Sequence, residues 1–175
     1  MNMKKTILAS TTALACTLGA AANAQVSFVD CVSTPITVFD GNIVEAAIAT
    51  PELSTLVDAV LAAGLEDALA TTDNITVFAP TNDAFDAIPS DILGAVLEDV
   101  DLLTGLLTYH VTTGAQDPRK FVPPVKRETL AGQYVYFAFN NGHPRVNNSA
   151  VNCAGVQASN GLVWFIDSVI QPGFN

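Results

Sequence analysis

The sequence predicts an α+β fold in which a helical first half packs on a mostly antiparallel two-sheet β wedge. Three observations carry that expectation. Apolar residues recur every three or four positions up to Tyr109, and from Gln133 onward the period changes to two. Within the first half, Ile75-Thr-Val-Phe-Ala-Pro-Thr-Asn-Asp-Ala-Phe85 marks where a buried strand ends and a helix begins. Ile75 to Phe78 suit a strand, and Pro80 cannot donate to a ladder. Thr81 can cap the next helix through its hydroxyl, Asp83 lies near the positive helix end, and Phe85 can turn back to the core.

The chain has 175 residues, half of them hydrophobic, which fits one domain with a well-filled core. Lys4 and Lys5 precede an apolar run from Ile7 to Ala22, and Ala22-Asn23-Ala24 has the small-x-small form of a cleavage site. Residues 1–24 are therefore expected to be a secretory signal, with the mature chain beginning at Gln25. A membrane anchor is the alternative, but Ser, Thr and Gly dilute the run below the roughly 20 apolar residues of a span. Lipidation at Cys16 is a second alternative, weakened because Leu14 stands one place too close to the cysteine. Residues 25–41, with Val26, Phe28 and Val32, read as an extension laid against a domain that spans 42–173.

Without the signal, two cysteines remain, Cys31 and Cys153. In an exported protein such a pair is most simply a disulfide, worth on the order of 4 kcal/mol for so long a loop. Two free thiols or a redox pair fit less well, since no basic group or CxxC spacing favours a thiolate at either position.

Charge is segregated along the chain. Fifteen of the seventeen acids lie between Gln25 and Pro118, where there is no Lys or Arg. The five basic residues after the signal are Arg119, Lys120, Lys126, Arg127 and Arg145, so the mature net charge is 5 − 17 = −12. Such a surface repels nucleic acid and anionic lipid. Neither a nucleic-acid partner nor stable membrane insertion is expected.

In the first half, Asn42 and Glu45 form a capping box before the Val44, Ala47, Ile48 face. Pro51 restarts the helix, the stripe Leu53, Leu56, Val57, Val60, Leu61 continues it, and Gly64 ends it. Leu65 to Leu69 read as a short turn before the strand at Ile75. Ser90 is expected to cap a segment from Asp91 to Leu97, and Val100, Leu103, Leu106 and Leu107 form the stripe that leads into Tyr109-His110. In the second half, Gln133 to Asn140 read as a strand apolar on both faces, with Val135, Phe137, Phe139 on one and Tyr134, Tyr136, Ala138 on the other. Asn140-Asn-Gly142 and Asn160-Gly161 are turn signals, the second the stronger hairpin. The Pro-rich stretch from Gln116 to Glu128 reads as an exposed loop.

Catalytic patterns are scarce. Two histidines without HExxH spacing argue against a zinc catalyst, and no GxSxG elbow, Walker loop or dinucleotide fingerprint is present. Glu98-Asp99-x-Asp101 lacks a DxDxDG frame for calcium and reads as a solvated helix terminus. Paired carboxylates for glycoside hydrolysis are defined by separation in space, which sequence does not supply. No cofactor, metal or catalytic residue is assigned.

Thr76-Val-Phe-Ala-Pro-Thr-Asn-Asp-Ala-Phe85, Tyr109-His110, and Val156-Gln-Ala-Ser-Asn-Gly-Leu-Val-Trp-Phe-Ile-Asp-Ser-Val-Ile-Gln-Pro172 resemble, in order and spacing, the signatures of the fasciclin-like domain family. The resemblance covers roughly Asn42 to Pro172 and implies the compact fasciclin-like fold of an extracellular adhesion module. It also implies an interaction role for Tyr109-His110, although the residues themselves favour a half-buried ring and a hydrogen-bonded imidazole that pin strand to helix. Where many members carry a histidine in the last signature, this chain has Trp164. Asp167 interrupts an apolar strand and is expected to be held by nearby amides, those of the Thr81 corner among them. Arg119 to Arg127 form the one basic, apolar-bearing patch, suited to an anionic polymer or an acidic face, or else to solvent.

The expected function is that of an exported, non-enzymatic module, secreted, periplasmic or surface-associated, that binds a protein or extracellular polysaccharide. A carrier of an apolar small molecule is the alternative, since some proteins it resembles bind carotenoids, and Phe121, Tyr134, Tyr136, Phe137 and Phe139 are the residues proposed to line a groove. A hydrolase is the remote third reading.

Overall fold

The computed structural model describes residues 28–120, 125–140 and 143–171. The expected signal, Gln25, Phe121 and the Asn141-Gly142 turn lie outside them.

The architecture is organised about β2 (Ile75–Pro80), buried at every position. It pairs antiparallel with β3 (Val111–Thr113) on one side and parallel with β8 (Gly161–Ile166) on the other. A parallel pair covered on both faces needs a continuous apolar run, which both strands have. Alternation along them feeds two cores. Ile75, Val77, Ala79 and Val163 enter the first, while Phe78, Leu162, Trp164 and Ile166 enter the second.

The first core lies beneath the helices. Its walls are α2 (Ile43–Ile48), α3 (Ser54–Ala62), α4 (Glu66–Thr71), α5 (Asn82–Asp86) and α7 (Val100–Tyr109). The Asn42–Glu45 capping box is formed, Gly64 adopts φ 64° at the end of α3, and Asp99 caps α7 through the Asp101 and Leu102 amides. Between these helices, α6 (Ser90–Glu98) contributes no fully buried residue.

The second core lies inside a curled sheet of order β3-β2-β8-β7-β6-β5-β4. The later strands are β4 (Val125–Glu128), β5 (Tyr134–Asn140), β6 (His143–Val146) and β7 (Ser149–Ala158), paired antiparallel in succession and on to β8. The two sheet ends approach each other where Thr112 bridges Thr129 and the Leu130 amide donates to the Val111 carbonyl at 2.8 Å. The extension supplies α1 (Phe28–Ser33) and β1 (Thr37–Val38), and β1 pairs parallel with β7.

Several local expectations are corrected. The turn expected at Leu65–Leu69 is instead the start of α4, and Pro89, not Ser90, holds the N-cap position of α6. Thr81 is at the N-cap of α5, but its hydroxyl makes no cap bond. The corner is clasped by Asn82, whose Oδ1 accepts from the Thr55 amide at 3.0 Å and whose Nδ2 donates to the Pro51 carbonyl at 2.9 Å. The last hairpin turns at Ser159-Asn160, since Gly161 already pairs with Ala158. A Cβ at Gly161 would run into the Ile75 carbonyl oxygen, so this glycine permits the close approach of β8 to β2. On β5 only one face is buried. Val135 and Phe137 face inward, while Tyr134 and Tyr136 face outward and are 43% and 57% exposed, with no helix or strand among the described residues packing over them.

Candidate functional site

The stretch expected to be an exposed basic loop is in part built into the fold, although Lys120 and Lys126 are exposed. Arg119 is 3% exposed, Pro118 is buried, and Val125 to Glu128 form β4. The Arg119 guanidinium sits 4.7 Å from the Trp164 ring centroid. Its Nε and Nη2 each donate to an Asp117 carboxylate oxygen at 2.9 Å, and Nη1 donates to the carbonyls of Thr34 at 2.6 Å and Cys153 at 3.1 Å. A planar fork of this kind can satisfy a carboxylate and several carbonyls at once, which lysine cannot. Burial opposes ionisation of Asp117, but the hydrogen bonds and charge of Arg119, helped by Lys120, outweigh it and hold the carboxyl below its ordinary value. The Cys31–Cys153 disulfide lies beside this clasp, so the extension is tied covalently and by hydrogen bonds to β7.

Tyr109 and His110 are 3% and 2% exposed. The Tyr109 hydroxyl donates to the Tyr134 carbonyl at 3.1 Å and accepts from Asn147 Nδ2 at 3.0 Å. His110 Nε2 accepts from the Ile170 amide at 2.9 Å, so the proton lies on Nδ1, 2.8 Å from the Leu106 carbonyl. Burial pushes the imidazole down to about 4, against the opposing effect of the Leu106 bond. Protonating Nε2 would also set two donors against each other. These two residues tie α7, β5 and the chain after β8 together from buried positions, as the residues themselves suggested, and both also contribute to the floor of a groove between α6 and α7.

Asp167 accepts from the Ala150 amide at 2.8 Å and from the Ser168 hydroxyl, not from the Thr81 corner, whose amide donates to the Ile166 carbonyl. The tether that sequence reasoning missed is Asn160. Its Oδ1 accepts from the Ile43 amide at 2.9 Å, and its Nδ2 donates to the Leu69 and Thr72 carbonyls at 2.8 and 3.0 Å. No local pattern marks Asn160 apart from any turn asparagine.

Of the five aromatics expected to line a groove, the four described ones do not converge, and Phe139 among them is partly buried. Tyr134 and Tyr136 point outward, Phe137 points into the sheet core, and Phe121 lies outside the described residues. A groove exists elsewhere. It has a volume of about 450 Å³ and lies between α6 and α7, with Phe85 and Ile88 behind and Ala131 and Gln133 of the β4–β5 turn at one wall. Leu93, Val96, Leu103 and Leu107 make it apolar, and His110 reaches it from below. Among the described residues, three of the ten exposed large apolar side chains line it, Ile92, Leu97 and Leu102, while Val100 is exposed at the start of α7 and Leu130, Tyr134 and Tyr136 are exposed on the β4–β5 hairpin. Surplus apolar residues off the α7 stripe, Leu102 above all, were the legible sign of this surface. The rim on the helix side is acidic, with Asp91, Glu98, Asp99 and Asp101 all exposed. On the hairpin side, Lys126 Nζ lies 4.3 Å from the Tyr134 ring centroid. No group of three or more His, Cys, Asp or Glu able to hold a metal occurs among the described residues, and no helix there is long and apolar enough to cross a membrane.

Comparison with known proteins agrees with this geometry. The model of the fasciclin domain matches residues 51–172. Protein sll1483 of Synechocystis is 43% identical over 132 residues, covering 74% of this chain and 73% of the relative. Immunogenic protein MPB70 of Mycobacterium bovis is 38% identical, covering 73% and 67% respectively. The cell surface glycolipoprotein MPB83 of the same species is 36% identical, covering 73% of this chain and 59% of the relative. In fold, the chain resembles the FAS1 domain pair of the insect cell adhesion molecule fasciclin I, with a TM-score of 0.55, 19% identity, and 68% of this chain against 45% of that one.

Proposed function

The chain belongs to the fasciclin domain family, a family of cell-adhesion-type modules, and from that premise we propose that it is an exported, non-enzymatic interaction module whose exterior binds a protein or an extracellular polysaccharide. The carrying observation is the apolar groove between α6 and α7, whose lining includes the exposed Ile92, Leu97 and Leu102. Apolar patches of this kind on a soluble domain mark interaction sites. The residues with catalytic potential point the same way, because His110, Tyr109, Arg119 and Asp117 are each committed to bonds that hold the fold. A signal over residues 1–24 and a domain over 42–173 belong to this reading, as does a secreted or periplasmic site of action, and the relative described as a cell surface protein supports it.

The test is capture from the native envelope and from extracellular polymer by the immobilised mature chain. Leu102→Asp is expected to lose the bound material and a Lys120→Gln/Lys126→Gln pair to weaken it; capture that ignores both would sink the reading. Arg119 is left intact in these controls because it is buried.

The second reading, a carrier of an apolar small molecule, is favoured by the groove's volume of about 450 Å³, which falls in the range of small-molecule sites, roughly 300 to 1,000 Å³. Organic extraction of the natively exported protein, with its visible absorbance, decides it. A colourless protein that releases no lipid removes this alternative.

A further inference from the structure

The five cations that follow residue 24 are not used alike. Arg119 and Lys120 are held by Asp117, and Arg127 donates to the Gln116 side chain and the Lys126 carbonyl. Lys126 and Arg145 have no carboxylate partner among the described residues, in a chain with seventeen acids. Both stand on the outer face of the sheet and flank Tyr136. Lys126 pairs with Tyr136 on one side of β5, and Arg145 pairs with Ala138 on the other. Alternation fixes the face, because the adjacent Phe137 and Val146 are buried inside the curl. Strand spacing and rise put the two cations about 12 Å apart at their Cα atoms, with Tyr136 between them. Tyr136 is 57% exposed, and its backbone is pinned by Asn147, whose Oδ1 accepts from its amide at 2.9 Å and whose amide donates to its carbonyl at 2.7 Å. The Lys126 ammonium is steadied 4.3 Å from the Tyr134 ring centroid. Arg145 is half-buried, its Nε covered and unbonded, and its ladder neighbours Ala138 and Ala150 are too short to reach the guanidinium.

We propose that this outer face binds an acidic polysaccharide whose sugar rings carry carboxylates, one ring lying on Tyr136 while the carboxylates of that ring and its neighbour meet Lys126 and Arg145. The C–H bonds on one face of a pyranose bear slight positive charge and suit the negative face of an aromatic ring. A uronate has its carboxylate on a ring carbon, so a stacked ring presents it at the ring's edge. There arginine takes it as a fork and lysine as a point charge. A protein partner fits the face less well, since protein anchors fill desolvated pockets and the surroundings of Tyr136 are cations and alanines. The net negative charge of the chain opposes any anionic polymer, but fifteen of the seventeen acids precede Arg119. Of the two that follow, Asp167 is bonded to the Ala150 amide and the Ser168 hydroxyl, and Glu128 stands opposite Tyr134. Repulsion from the rest is screened beyond about 8 Å at physiological ionic strength, whereas the two cations act at contact. The proposal rests on the reading of the chain as an interaction module and narrows its polysaccharide partner to a uronate, on a face apart from the groove, which none of Tyr136, Lys126 and Arg145 lines.

Calorimetric titration of the disulfide-intact mature chain with a mannuronate oligosaccharide, with its methyl ester and with an oligoglutamate tests it. The mannuronate is expected to bind. Its methyl ester keeps the rings and loses the charge, and is expected to bind about tenfold or more weakly. Tyr136→Thr, which still suits a strand, Lys126→Gln and Arg145→Gln are each expected to raise the mannuronate dissociation constant about tenfold. Retention of the near-ultraviolet signal of the buried Trp164 shows that each variant is folded. A chain that does not bind the mannuronate overturns the proposal. So does a methyl ester that binds equally well, which would assign the face to neutral sugars, or an oligoglutamate that does, which would assign it to an acidic protein. Folded variants that bind as tightly as the unaltered chain overturn it as well. A chain that ignores the mannuronate and still captures envelope material, with that capture lost in Leu102→Asp, overturns this proposal alone and leaves the proposed function standing.

Discussion

The core inside the curled sheet is sealed by polar groups, whereas the core beneath the helices runs out into an open groove. Around Trp164, each potential gap is filled by a directed bond. The indole Nε1 donates to the Gln116 carbonyl at 2.8 Å, Arg119 covers the ring face, and Gly155 leaves room for the ring where any Cβ would meet it at 2.8 Å. Beneath α6 there is no such closure, and its apolar residues stay partly in water. Directed bonds fix one arrangement, while hydrocarbon packing alone leaves a face that a partner can complete. The sheet side therefore carries stability, and the helix side is where the proposed groove binding is assigned.

The sharpest way to break that contrast is Trp164→Ala. The ring is fully buried and enclosed, so the loss should reach the upper part of ~3–5 kcal/mol in denaturant unfolding. A loss under ~1 kcal/mol would mean the sheet core is not closed. Phe85→Ala removes a ring that is 4% exposed but backs onto the groove, where its surroundings can relax. It should fall at the low end of the same range, about 3 kcal/mol. A cost equal to that of Trp164→Ala would erase the difference between the cores.

Acid sharpens the comparison further. His110 titrates near 6.5 when unfolded and at about 4 when folded, so the native state favours the neutral ring. The unfolded chain takes up the proton first as pH falls, and stability is lost between those values by about 3 kcal/mol, from 1.36 kcal/mol per unit. Asp117 adds a second loss at lower pH. Its carboxylate contributes stability above its ordinary value of 3.8, and the contribution disappears as pH falls through the depressed folded value. His110→Gln should flatten the upper window in a series of unfolding curves and leave the lower one in place. The smallest effect belongs to Leu102→Ser, 51% exposed, which should change stability by no more than ~0.5 kcal/mol while abolishing capture at the groove.

Much of the fold was legible from local patterns. The run from Ile75 to Phe78 is a strand that ends at Pro80, the Asn42–Glu45 box starts a helix, and the change of period after Gln133 separates helices from sheet. The site was much less legible. Tyr134, Tyr136 and Phe137 looked alike as an aromatic run, yet the curl of the sheet placed the two tyrosines outside and the phenylalanine within. Arg119 read as one more cation in a loop until the chain brought Asp117, Thr34 and Cys153 around it.

By itself the sequence determined the α+β order of elements, the uneven charge and the positions of its three cysteines, of which Cys31 and Cys153 are the pair that remains once the expected signal is set aside. Those features depend on neighbours within a turn or a strand, or on counting. Only the tertiary structure decided which polar side chains are tethers and which are surface, because Asn160 reaches Ile43 across 117 positions and Arg119 reaches Thr34 across 85. A hydrogen-bonding side chain carries no periodic mark of its partner. Its role is set by which distant carbonyls and amides lose water at the same point in space, and folding alone brings them there.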